Sequence, residues 1–73
     1  MSWQRLPHIY RRIAVEVCTP AELDALALHI AGYPERTIAV RLDISRRSVR
    51  DRLDNATRKI SNHPDMPKEE ATA

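Results

Sequence analysis

The chain has 73 residues, 42% of them hydrophobic and 30% charged, with a formal net charge of +2. A length of this order makes one small domain and excludes a large buried core. The lone Cys18 excludes an intrachain disulfide and a cysteine-based zinc site, and no apolar run approaches the length that spans a bilayer.

One Gly, no Phe and nine Ala favour helix throughout. The expected fold is all-α. It is a small four-helix domain with helices at about 7–18, 20–31, 34–42 and 46–60, the last three forming a tri-helical helix-turn-helix core.

Pro7 suits the first position of a helix, where its missing N–H would have no partner anyway. Ile9, Tyr10, Ile13 and Val17 then share one face. Trp3 and Leu6 carry the same spacing upstream, as a further helical turn or as an arm folded onto the core. Thr19-Pro20-Ala21-Glu22 is a capping box with proline inside it, a specific signal for a helix start. The second helix presents Leu23, Leu26, Ala27 and Ile30 on one stripe. Ala21, Ala25 and Leu28 fall on the other side, where the first helix is the expected cover. Gly32 stops this helix, since glycine enters a left-handed cap without strain.

Pro34 opens a short third helix with Ile38, Ala39 and Leu42 inward. Asp43 stands where the chain must turn sharply, and Asp tolerates left-handed backbone better than most residues. Ile44 plugs the turn and Ser45 caps the fourth helix, whose inward stripe is Val49, Leu53, Ala56 and Ile60. Residues 61–73 hold two prolines and few apolar side chains, the composition of a flexible tail. The organisation is thus an arm and helix over 1–18, the core over 19–60 and the tail.

Charge is unevenly placed. Residues 1–12 carry Arg5, Arg11 and Arg12 without an acid, and residues 13–35 carry Glu16, Glu22, Asp24 and Glu35 without a base. Residues 36–60 hold eight bases against three acids, a balance of +5. A basic block confined to two adjacent helices is a footprint for phosphate. The competing reading is a solvated helix laced by Arg47–Asp51, Arg50–Asp54 and Asp54–Arg58 pairs at i,i+4 spacing. His8, His29 and His63 share no metal-ligand spacing, and no acid neighbours them in a catalytic arrangement. Without a Ser-His-Asp set, a carboxylate pair or a glycine-rich phosphate loop, neither catalysis nor a cofactor nor a metal is expected. Cys18 reads as a small packing residue.

The run Gly32-x-x-x-x-x-Ile38-Ala39-x-x-Leu42-x-Ile44-Ser45-x-x-x-Val49 resembles the DNA-binding domain shared by LuxR-type regulators and the fourth region of sigma factors. The stretch from Asp43 to Ile60, with His63-Pro64 following, is similar to the sigma-factor version. The resemblance covers residues 19 to about 64. It implies that the last helix reads DNA, with base contacts from Arg46, Arg47, Arg50 and Asp51. It also implies phosphate contacts from Arg36 and Thr37 at the start of the preceding helix. Arg41, Ser45, Arg52, Arg58 and Lys59 complete the expected phosphate set, as neighbours in the basic block. Asp43 stands where LuxR-type sequences often have glycine, and Asp54 where many relatives are neutral or basic.

The leading expectation is a sequence-specific binder of double-stranded DNA, a small stand-alone transcriptional regulator. Two alternatives are an adaptor of sigma-like fold that docks on RNA polymerase or a regulator, and a DNA-docking subunit of a recombination or packaging complex. A homodimer is expected to pair through Trp3, Leu6, Tyr10, Ile13 and Val17. The first residues lack a signal-peptide pattern, so the expected place is the cytoplasm, on the nucleoid when bound.

Overall fold

The computed structural model describes residues 3–66. A 3₁₀ turn over Trp3–Arg5 precedes four helices: α1 His8–Val17, α2 Pro20–Ile30, α3 Glu35–Leu42 and α4 Arg46–Ser61. The described residues contain no strand. Each helix lies where the hydrophobic spacing places it, with ends shifted by a residue or so. Pro7 and Pro34 cap α1 and α3 from just outside, rather than occupying their first positions. Upstream of Pro7 the chain makes a separate tight turn closed by the Leu6 N–H donating to the Trp3 carbonyl at 3.2 Å. Proline ends the possibility of one continuous helix there.

The capping box is present in full. The Glu22 amide donates to Thr19 Oγ1 at 3.2 Å, and the Thr19 amide donates to Glu22 Oε1 at 2.9 Å. At the other end of α2, the Gly32 amide donates to His29 O and the Tyr33 amide to Leu28 O, which is the Schellman pattern. Gly32 sits at φ 104. A Cβ there would meet nothing within 4 Å, so the backbone angle and not crowding calls for glycine. The same pair of bonds closes α3, from Asp43 N–H to Val40 O and from Ile44 N–H to Ala39 O. Here Asp43 takes the left-handed position, φ 58 and ψ 49.

The core is built from Ile13, Ala14 and Cys18 of the first helix region, Ala25 and Leu26 of α2, Ile38 and Ala39 of α3, and Val49, Leu53, Ala56 and Ile60 of α4. All four residues of the α4 stripe are buried. This helix is the hub: α1, α2 and α3 each pack against it, and α2 also meets α3. That corrects the expected cover for the Ala25 side of α2, since α1 lies chiefly along α4. The reason is length, because α4 is 16 residues long and its buried stripe runs from Val49 to Ile60, far enough for all three other helices to pack on it.

Residues 61–66 also depart from the flexible tail read from composition. Beyond Asn62 the chain turns back on itself, with the Met66 amide donating to His63 O at 3.1 Å. Met66 packs against the core. Arg12 of α1 reaches Asp65 Oδ2 at 3.3 Å, and His63 Nε2 lies 3.4 Å from Glu16 Oε2. An acid therefore does stand beside a histidine, brought there across 47 positions of sequence. The remainder of the tail, 67–73, lies outside the described residues.

Candidate nucleic-acid interface

A helix with 3.6 residues per turn puts positions 46, 50, 54, 47, 58 and 51 on one side and positions 49, 53, 56 and 60 on the other. The first side is solvent-exposed at Arg46, Arg47, Arg50, Asp51, Asp54 and Arg58. At its N-terminal end Arg46, Arg47, Arg50 and Asp51 line a shallow, open depression. These are the four residues expected to read bases, gathered at one place. Ser45 fixes the start of the helix: its Oγ accepts from the Ser48 amide at 3.0 Å and donates to Ser48 Oγ at 3.0 Å. The first turn of α4 contains no acid. Helix N-termini favour negative charge, so three arginines in the first five residues work against the helix dipole. Such a turn gains most when an anion arrives.

The first turn of α3 stands beside this depression. Arg50 Nη2 donates to Glu35 Oε1 at 3.0 Å, a bond between helices in place of the expected Arg50–Asp54 pair. The Arg50 hydrogen bond pulls the Glu35 carboxyl below the usual glutamate range, with Arg46 and His29 adding smaller effects in the same direction. Arg50 is in turn pushed above the ordinary arginine value by Glu35. Arg36 is exposed next in sequence and Thr37 is half-buried. Arg41 is exposed too, with its guanidinium 4.5 Å from the Tyr33 ring centroid and Nη2 donating to the Tyr33 hydroxyl at 3.5 Å. The Schellman closure of α2 is what delivers Tyr33 to that position.

Several members of the expected phosphate set are not brought to this face. Lys59 Nζ donates to both Glu22 oxygens, at 2.8 and 3.0 Å, which commits it to an internal ion pair. Glu22 is 7% exposed, so this cation neutralises an acid that folding has removed from water. Hydrogen bonds from Lys59 and Thr19 together hold the Glu22 carboxyl low, Lys59 foremost and against the opposing effect of burial. Arg52 is half-buried and falls on the same flank of α4 as Lys59, away from the depression. Arg58 shares the exposed side but donates to Asn55 Oδ1 at 2.8 Å near the far end of the helix. The Ser45 hydroxyl is engaged in its own cap. None of the three expected i,i+4 pairs of α4 forms among the described residues.

The expected dimer surface also changes. Ile13 is fully buried and belongs to the core. Trp3, Tyr10 and Val17 pack against that core while remaining partly exposed, and Leu6 is half-buried. Ile13 is thus taken up by packing within one chain and offers nothing to a second copy. Cys18 is 8% exposed, and burial, with nearby Glu22, pushes its thiol above the usual cysteine value. A thiol so placed is a packing group.

Glu35 and Glu22 are the residues that reasoning from sequence missed as partners. Glu35 lies 15 positions from Arg50 and Glu22 lies 37 from Lys59, beyond any local rule of spacing. No family model matches the chain, and no characterised protein or solved structure proved significantly similar to it. No helix among the described residues is long and apolar enough to cross a membrane.

Proposed function

We propose that the chain is a sequence-specific double-stranded DNA-binding protein, a small transcriptional regulator that lays the first turns of α4 in the major groove. The observation that carries this reading is the convergence of Arg46, Arg47, Arg50 and Asp51 on one exposed depression. Across the three-residue connection closed by Asp43, the first turn of α3 comes close enough for Glu35 to bond Arg50. This is the geometry expected of a helix-turn-helix, in which the second helix meets base edges and the first flanks the backbone. Arginine at such positions recognises guanine through O6 and N7.

The adaptor reading draws less support. It relies on the acids of residues 13–35 and on the tryptophan-bearing N-terminus, and three of the four acids already lie beside bases of this chain: Glu16 near Arg12 and His63, Glu22 with Lys59, and Glu35 with Arg50. Pairing of two copies on a two-fold site would extend the DNA reading, since one recognition helix covers only a few base pairs. Sedimentation equilibrium with and without DNA tests that pairing.

The decisive experiment for the reading is a duplex titration over a range of salt. Neutralising about four phosphates gives a log–log slope near −3.6. Binding that is absent at low salt, or insensitive to salt, overturns the reading.

A further inference from the structure

Arg50 is tethered to another helix at the point where it would meet DNA. Its guanidinium donates to Glu35 at 3.0 Å, joining the first turn of α3 to the second turn of α4. Two acids on its own helix, Asp51 and Asp54, are near enough to act on its charge, yet neither takes the hydrogen bond. The carboxylate that does is anchored on different backbone, directly after Pro34, whose ring fixes the entry to α3. The Glu35 side chain is 32% exposed and that of Arg50 is 63% exposed, so the contact leaves most of the fork facing solvent.

We propose that Glu35 is a positioning residue for base reading, holding the Arg50 guanidinium across the α3–α4 gap so that its remaining donors address a guanine. This rests on the DNA-binding reading above. A guanidinium has five N–H donors in a rigid fork, and guanine uses two. Giving one donor to Glu35 leaves enough for a bidentate contact and removes much of the side chain's freedom beforehand. A phosphate contact, by contrast, carries no base sequence, so holding the fork in one direction there would add no choice between duplexes. The same carboxylate repels the backbone of any duplex, so it lowers general affinity while sharpening choice.

The test uses the full chain, a duplex selected with it from a random pool, and a scrambled duplex of equal length. Glu35→Gln keeps the shape and removes the charge. It should bind the scrambled duplex more tightly than the native chain does, and lose about tenfold of the preference for the selected one. Glu35→Asp, which keeps the charge, should restore part of the preference. In Arg50→Lys the further change Glu35→Gln should cost no additional preference. Tighter binding of both duplexes with the ratio unchanged overturns the proposal and makes Glu35 a general repulsive charge. So does a selection that enriches no sequence, although DNA binding itself would stand. Carbon-13 titration of the Glu35 carboxyl without DNA separates the remaining cases. A value in the ordinary glutamate range shows the tether is not held. A depressed value in a chain that binds no duplex overturns the DNA reading, and the positioning role with it.

Discussion

The two ends of α4 carry the same kind of side chain in opposite circumstances. At the N-terminal end Arg46, Arg47 and Arg50 stand exposed around a depression. At the C-terminal end Lys59 is bound to buried Glu22, and Arg58 to Asn55. Cations near a helix C-terminus are favoured by its dipole, and here one of them also joins α4 to α2. Cations near the N-terminus are disfavoured by the same dipole and gain little within the chain beyond the Glu35 contact. One group of bases therefore stabilises the fold, while the other costs stability and is left accessible to a ligand. The +5 balance of residues 36–60 hides this division, because it counts both groups alike.

The largest expected effect breaks both ends together. Leu53 lies between them on the buried stripe, and Leu53→Ala should lower stability by about 2–5 kcal/mol, read by chemical or thermal denaturation. A change confined to the far end comes next. Glu22→Ala removes the Lys59 partner and half of the capping box, and should cost about 1–3 kcal/mol. The salt slope of DNA binding by the folded variant should be that of the native chain.

Acid should act at the same place. The Glu22 carboxyl is held below the ordinary glutamate value of 4.5, so its stabilising contribution is complete above that pH and disappears as pH falls through the lower, folded-state value. Melting temperature should therefore decline in acid below about pH 4.5, and Glu22→Gln should flatten that decline. Glu35 shifts in the same direction, but its exposure to solvent and salt makes its share smaller. The smallest effect on stability, and the sharpest on function, belongs to the near end. Arg47→Ala should alter stability by no more than about 0.5 kcal/mol. It should also reduce the salt slope by about 0.9 if that side chain meets a phosphate, whereas Lys59→Ala should leave the slope unchanged.

The four helices were legible because their signals are local. The Thr19–Glu22 box, Gly32, Asp43 and Ser45 each determine a boundary through bonds to residues within five positions. The stripe of α4 was legible for the same reason. What could not be read were the pairings that depend on how helices stack. Composition assigned residues 61–66 to a loose tail because it cannot register Arg12 and Glu16 waiting on α1. Spacing paired Arg50 with Asp54 because the next turn is visible in sequence and α3 is not. For the candidate site, the nearness of Arg46, Arg47, Arg50 and Asp51 could be read because all four open one helix. That Arg52 and Lys59 stand on another flank of α4 could not be read, because residue type alone does not say which side of the stripe a base occupies.

Asp43 has a consequence for how this chain tolerates change. Gly, Asn and Asp take left-handed backbone at little cost, and in the genetic code Asn and Gly each lie one nucleotide away from Asp. Ala and Val are equally close in the code, but both carry a Cβ that the left-handed angle disfavours, and Val adds a branch. A library of single-nucleotide changes at codon 43, sorted for folded protein, should therefore divide by backbone angle rather than by charge. Asn and Gly should persist, while Val should be lost although it would suit the neighbouring Ile44. The bend between α3 and α4 is thus guarded at a single codon, on the side of the mutational neighbourhood that keeps the two helices in register.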